Sequence, residues 1–360
     1  MSTVKTVFLS GFRNIVEERL DLSPQLNIFF GKNGSGKTSV LEALYVLSCG
    51  RSFRATKLDS VINVAAAEAT VFIEAGGGAR LGFTRSKKGE NSLKLSGVVQ
   101  SNWEAAARTI PTQVIDANSF ALLEGGPRSR RQFLDWGAFH VEPGFVRSWR
   151  SLKKCLANRN SLLKRSVRDP VEIKTWTEKY VAAASSVDRA RAAYFDGFRE
   201  NFYSVYSDLD PNFAGRVELS YSRGWPSHDH LSDALAASYE SDCRYGATQI
   251  GPHRADLLFR IGRGSVRETL SRGQQKVLVC ALKIAQGRFF TESIGKECLY
   301  LVDDLPNELD ADNSLKVLKK LMELKAQIFV TCVDSSDLLF APSKGHKMSL
   351  FHMEHGIITR

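Results

Sequence analysis

Apolar and polar positions alternate with a period of two near both ends of the chain and fall into helical spacing in its middle. Val4–Ser10, Leu26–Phe30 and Val71–Ala75 have the pattern of strands, and Gly76-Gly77-Gly78 has the composition of a hairpin turn. Ser39 to Ser48 has helical spacing and directly follows a glycine-rich stretch, so strand, glycine loop and helix open a βαβ unit. Residues 145–205 are poor in glycine and rich in helix formers, with a break at Asp169-Pro170. They predict a pair of helices forming an antiparallel arm. No heptad repeat is sustained there, which favours a short helical lobe over a long coiled coil. After Gln249 the mixed pattern returns: Leu270–Gln286 helical, Cys298–Val302 a strand, Asp312–Leu324 helical, Gln327–Val333 a strand. The expectation is an α/β fold, a mixed sheet with flanking helices built from both chain ends. Residues 1–125 form its N-terminal part, 126–240 an inserted helical lobe, and 241–360 its C-terminal part.

Composition adds a partner class rather than a fold. The 360 residues are 43% hydrophobic and 24% charged, ordinary for a chain that buries a sizeable core. A net charge of +10 favours a polyanionic partner. The six cysteines show no CxxC pair or metal-ligand spacing, and several sit in apolar runs, as reduced core thiols do. No apolar run approaches the roughly 18 residues of a membrane span, and Met1 to Leu9 lacks the layout of a secretory leader. The expectation is a soluble, cytoplasmic protein without a membrane partner.

Gly31-Lys32-Asn33-Gly34-Ser35-Gly36-Lys37-Thr38 fits the phosphate-loop pattern GxxxxGK[ST] in full. Its glycines let backbone N–H groups turn inward around the β-phosphate of ATP, a path that side chains would obstruct. Lys37 reaches the β- and γ-phosphates, and the Thr38 hydroxyl takes one position on Mg²⁺. The helix that follows aims its positive end at the same anion. Far downstream, the apolar strand Cys298–Val302 ends in Asp303-Asp304. An acid at such a tip holds Mg²⁺, and a second orients the attacking water. Two acids after an apolar strand also suit a helix cap or an exposed turn; the phosphate loop upstream selects the catalytic alternative. Leu270-Ser271-Arg272-Gly273-Gln274-Gln275-Lys276 opens an amphipathic helix with Ser271 as N-cap, whose amides can hold a γ-phosphate or simply end a helix.

Phosphate loop, S-x-G-Q segment, acid-tipped strand and Asn307-Glu308-Leu309-Asp310 follow the order of ABC-class ATPases, which this chain resembles. Finer matches point to one branch. Gly50-Arg51-Ser52-Phe53-Arg54, Arg130-Arg131-Gln132-Phe133-Leu134-Asp135-Trp136-Gly137 and Gly251-Pro252-His253-Arg254-Ala255-Asp256-Leu257 are similar to the RecF family. Those bacterial DNA-repair proteins are related to SMC heads, and the resemblance covers nearly the whole chain. It implies an ABC-class head and an ATP-closed homodimer that clamps double-stranded DNA near gaps. It also implies work with RecR and RecO in loading RecA, association with the nucleoid, and slow, DNA-stimulated ATP hydrolysis. By residue it implies Gly31 to Thr38 on ATP, Thr38 and Asp303 on Mg²⁺, and Lys37 and Asp304 in catalysis. Ser271, Gly273 and Gln274 would then stand at the partner's γ-phosphate. Arg13 and Asn14 are candidates for nucleotide contact, and Gln113 for a glutamine that senses metal or water. Leu305-Pro306-Asn307 departs from the family, which commonly has a small residue and serine before Glu-Leu-Asp.

The DNA candidates are basic. Arg147, Arg150, Lys153, Lys154, Arg159, Lys164, Arg165 and Arg168 fall in a stretch without acids, suited to phosphates though also to a solvated helix face. Arg51 and Arg54 are a second candidate that would couple DNA to nucleotide. None of these reads bases, so recognition of DNA structure rather than sequence is expected. A transporter ATPase subunit would share the nucleotide motifs but carry a shorter insertion and a membrane partner. A small-molecule kinase would need no S-x-G-Q segment, and an OLD-type ATPase would add a nuclease domain for which no room remains.

Overall fold

The computed structural model describes residues 3–165, 169–226, 228–334 and 347–360. They form two compact units. One comprises Met1–Phe120, Asp208–Asp210 and Ser271–Arg360, and the other Ala121–Ser207 and Pro211–Leu270.

The chain begins with the hairpin β1 (Val4–Phe12) and β2 (Ile15–Asp21), followed by β3 (Leu26–Phe30) and α1 (Lys37–Cys49). Next come β4 (Glu68–Ala75), β5 (Arg80–Ser86), β6 (Asn91–Leu95), β7 (Val98–Val99), α2 (Glu104–Thr109) and β8 (Thr112–Ile115). The second unit starts with the short α3 (Ala121–Glu124) and continues with α4 (Pro127–Val141), α5 (Phe145–Leu163) and the long α6 (Pro170–Leu209). It then adds β9 (Val217–Ser222), α7 (Leu231–Ala237), α8 (Tyr239–Tyr245), β10 (Asp256–Ile261), β11 (Gly264–Ser265) and α9 (Val266–Thr269). Back in the first unit are α10 (Arg272–Ile294), β12 (Leu299–Val302), α11 (Leu305–Glu308), α12 (Ala311–Glu323), β13 (Gln327–Cys332), β14 (Met348–Glu354) and β15 (Ile357–Thr359).

Two six-stranded sheets build the first unit. One is an antiparallel meander in the order β2-β1-β4-β5-β6-β7; the other runs β15-β14-β3-β13-β12-β8 and is parallel except at β15. Strands of the first alternate inward and outward residues, whereas β12 and β13 are buried throughout, as strands of a covered parallel sheet must be. Helix α1 belongs to the core that both sheets share. Val40, Leu41, Leu44 and Leu47 cluster with Val7, Leu9, Val71 and Ile73 of the meander and with Phe29, Leu299, Leu301 and Phe329 of the parallel sheet. Apolar groups face α1 on most sides, which explains a helix without one polar face. Its ends are set by glycines: Gly36 at φ 114° and Gly50 at φ 71°, where any Cβ would also run into Trp103.

In the second unit α5 and α6 are the two helices expected on either side of Asp169-Pro170. Two expectations fail here. The inserted lobe is not purely helical, because it carries the three-stranded sheet β11-β10-β9. It also ends at Leu270 rather than at residue 240. The cause is long-range pairing: β10 lies antiparallel to β9, with Leu258 opposite Ser220. Arg130 of α4 holds the Asp256 carboxylate through Nε at 2.7 Å and Nη2 at 3.0 Å. Local periodicity carries no sign of such partners.

Candidate functional site

The phosphate loop joins the end of β3 to α1 and follows a path that only glycine accommodates at two points. Gly31 has φ 146° with a would-be Cβ against the Met353 carbonyl, and Gly36 lies against the Asn14 side chain. Asn14 fastens the loop: its Nδ2 donates to the Ser35 carbonyl at 3.0 Å, and its Oδ1 accepts from the Ser39 hydroxyl at 3.2 Å. Arg13, in the tight β1–β2 turn at φ 55°, donates to both oxygens of Glu42, a carboxylate fully buried in α1. The ammonium of Lys37 turns back to donate to the carbonyls of Gly31 and Lys32.

Both acids follow β12, which is separated from β3 by β13. The Asp303 amide donates to the Ile115 carbonyl of β8 at 2.9 Å, which fixes the tip of β12. The hydroxyls of Thr38 and Thr331 each donate to Asp303 Oδ1 at 2.8 Å, and Thr331 Oγ1 accepts the Asp304 amide at 2.8 Å. Thr331 at the end of β13 therefore ties the two acids to the strand beside the phosphate loop. A cavity of about 600 Å³ is lined by Gly34, Gly36, Lys37, Thr38, Asp303 and Asp304. Asn33, Thr331, Arg13, Asn14, Arg54 and the Ser60–Val64 connection complete its wall.

The residues fit a magnesium-bound triphosphate. Asp304, which lines the cavity, has Oδ1 buried without a hydrogen-bond partner, so an acceptor remains to be satisfied by something in the cavity. Burial lowers the Lys37 pKa from the ordinary lysine value, with Asp304 and Asp303 opposing the shift. Burial likewise raises the Asp303 pKa, opposed by the hydroxyls of Thr331 and Thr38. Each charge is short of solvation, and a ligand carrying both an anion and a cation would supply what each lacks.

Several expected residues lie elsewhere. Ser271 caps α10 and forms a reciprocal capping box with Gln274, its amide donating to Gln274 Oε1 at 2.9 Å. Ser271 and Gly273 are exposed, and neither they nor Gln274 line the cavity. Gln113 is buried in β8, donating to Gln286 of α10 at 2.9 Å, and it does not line the cavity, which corrects its expected role as a metal or water sensor. Arg159 is corrected as well. Only 1% exposed, it pairs with Asp242 at 2.8 Å and donates to Thr177 and Thr248, so its guanidinium is not offered to DNA. Arg147, Arg150, Lys153, Lys154 and Lys164 are exposed, Lys153 lying over the Trp149 ring at 4.1 Å. Arg165 pairs with Glu172 at 3.1 Å. Arg168 lies outside the described residues. Arg54 borders the cavity, 3.6 Å from Glu42, and Arg51 is exposed just past α1. Sequence reasoning missed Glu42, Thr331 and the Ser60–Val64 wall. Thr331 alone had a usable signal, its place at the end of an apolar strand.

A phosphate loop feeding a helix buried in the core of two sheets, with the acid-tipped strand β12 in its parallel sheet, defines an ABC-class ATPase head of the SMC type. Residues 3–359 match the RecF/RecN/SMC N terminal domain. Over 362 residues the chain is 41% identical to the DNA replication and repair protein RecF of Pseudomonas syringae pv. syringae, covering 99% of this chain and 98% of the relative. With the protein of that name from Stutzerimonas stutzeri it shares 42% over 359 residues, covering 98% and 96%. The chain belongs to the RecF family. Its fold matches a solved structure of the recombination mediator protein RecF-ATP in the RecFOR pathway, with a TM-score of 0.85, 23% identity and coverage of 99% and 97%. It also matches an SMC head bound to the C-terminal winged-helix domain of ScpA, at 0.59 and 16% identity over 99% and 96% of the two chains. Among the described residues no helix is long and apolar enough to cross a membrane.

Proposed function

We propose that this protein is an ATP-dependent DNA-binding protein of recombinational repair and replication restart. Its ATP-closed homodimer clamps duplex DNA near single-strand gaps and assists RecO and RecR in loading RecA. Slow hydrolysis, stimulated by DNA, then releases it. One observation carries this reading. Lys37, Thr38, Asp303 and Asp304 meet in one cavity, while Ser271, Gly273 and Gln274 open α10 on the exterior, outside that cavity. The start of α10 in a second copy would then add helix-N-terminal donors to those that Lys37 brings to the outermost phosphate.

In this reading Mg²⁺ supplies charge neutralisation at the β- and γ-phosphates. Thr38 and Asp303 hold it, and Lys37 leaves the Gly31 and Lys32 carbonyls to meet phosphate oxygens. Asp304 keeps one carboxylate oxygen free to orient the attacking water. The exposed cations of α5 give a sequence-independent surface for DNA phosphates.

Light scattering with and without Mg-ATP, repeated with a gapped duplex, tests the proposal. The expected result is a monomer that becomes a dimer only with ATP and binds the duplex more tightly in that state. A mass indifferent to ATP would remove the composite site and the clamp with it.

A further inference from the structure

Asp304 is held in an unusual way. It sits at the N-cap of the four-residue α11 with φ 56° and ψ 42°, a left-handed conformation that costs a non-glycine residue energy. Its carboxylate does not cap the helix that follows, the usual employment of an aspartate in that place. Instead the two oxygens have different fates. Oδ2 accepts a hydrogen bond from Asn307 Nδ2 at 2.8 Å, and Oδ1 is the buried oxygen without a partner. Asp304 lines the cavity; Asn307 does not, and its own side chain is exposed.

The helix carrying Asn307 is anchored at several points. Leu305 and Leu309 are buried on either side, and Glu308 pairs with Lys276 of α10 at 2.9 Å. Pro306, within the first turn, has its φ set by its ring. The Asn307 amide N–H donates to the Asp304 carbonyl at 3.1 Å, closing the turn. An anchored helix thus offers one directed donor to one carboxylate oxygen.

We infer that Asn307 is a positioning residue: by holding Asp304 Oδ2 it fixes the carboxylate so that Oδ1 alone addresses the attacking water. This deepens the proposed function and rests on Asp304 being the hydrolytic acid. Asn307 touches no reacting atom and acts only through Asp304. Its loss frees the carboxylate to rotate, which lowers the fraction of bound ATP in the reactive arrangement without changing how ATP is held.

The test compares the full chain with Asn307→Ala, Asn307→Asp and Asp304→Asn in steady-state hydrolysis with duplex DNA, and measures binding of a fluorescent ATP analogue. Asn307→Asp keeps the shape and replaces the donor by an acceptor. Both Asn307 variants should lose about tenfold in kcat, the worth of one hydrogen bond to a charged group, with KM and analogue affinity within about twofold of the parent. If both keep the parental kcat while Asp304→Asn is inactive, the positioning role is wrong and the site assignment survives. If analogue affinity collapses together with kcat, Asn307 merely maintains the loop and the inference is again lost. Parental turnover by Asp304→Asn would remove the hydrolytic role of Asp304, and the positioning role with it.

Discussion

The imidazole of His253 has Nε2 2.9 Å from the Thr248 carbonyl oxygen and Nδ1 3.1 Å from the Tyr180 hydroxyl. A carbonyl only accepts, so Nε2 carries the proton in the neutral ring, while the single Tyr180 proton is shared between Nδ1 and the Ile250 carbonyl, 3.2 Å from the hydroxyl. Burial lowers the His253 pKa from 6.5 to about 4, aided by the charges of Arg254 and Arg131 and opposed by the Thr248 contact. Above pH 6.5 the ring is neutral whether the chain is folded or unfolded. As pH falls toward 4 the unfolded chain binds a proton that the folded one refuses, so stability declines with falling pH. At about 1.4 kcal/mol per pK unit, the loss reaches roughly 3 kcal/mol once both states are protonated. Every tryptophan except Trp103 lies in the same unit as His253. Urea unfolding followed by tryptophan fluorescence should therefore show a midpoint that drops between pH 7 and pH 5 more steeply in the parent than in His253→Gln. Parallel pH profiles would sink the assignment. His253 was visible in the sequence only as part of a motif, without this role. Lys37, Thr38 and Asp303 were legible because phosphate binding requires their types at short, fixed spacing. Arg159, Glu42 and Thr331 were not, since burial of an arginine or the partner of a buried carboxylate is decided by residues far away in sequence.

Among elements, α5 shows how far a charge pattern can be read. Phe145, Leu152, Cys155 and Leu162 form its inward stripe, and Arg147, Arg150, Lys153, Lys154 and Lys164 stay outside. The run without acids identified the helix and its polarity, but not that Arg159 falls on the buried side, nor that Glu172 of α6 neutralises Arg165. Within this basic stretch, duplex affinity should therefore depend on the outer cations and not on Arg159. Replacing Arg150, Lys153, Lys154 and Lys164 by alanine should weaken binding and reduce the slope of log K against log salt by up to about 0.9 per lost phosphate contact. A variant with the parental slope would place the DNA on another surface. Strands and helices with clean periodicity, such as β1, β4 and α12, matched expectation within a few residues. The small sheet of β9, β10 and β11 did not, because its pairing is fixed by distant contacts and two-residue strands have no period.

For the molecule as a whole, motifs that mark the family do not all serve the nucleotide. Arg130, Arg131 and Asp135 of α4 bind Asp256, the Ala255 carbonyl and Arg191, and Gly137 leaves room for the Tyr194 ring. The two motifs around residues 130 and 253 thus interlock inside the second unit, which is why residues 241–270 belong there. The nucleotide motifs gather in the first unit, and one of them, the S-x-G-Q segment, stands outside the cavity formed by the others. If a second protomer brings that segment, two separately inactive chains should repair each other. Lys37→Ala lacks the phosphate lysine in its own cavity, and Ser271→Arg spoils the segment it lends. A mixed dimer holds one site with both defects and one with neither. With random pairing of equal amounts and sites that fire independently, the mixture should recover about a quarter of the parental hydrolysis rate with duplex DNA. A site completed within each protomer would instead leave the mixture at the average of the two inactive chains, so the recovered rate measures how far the catalytic unit is the pair.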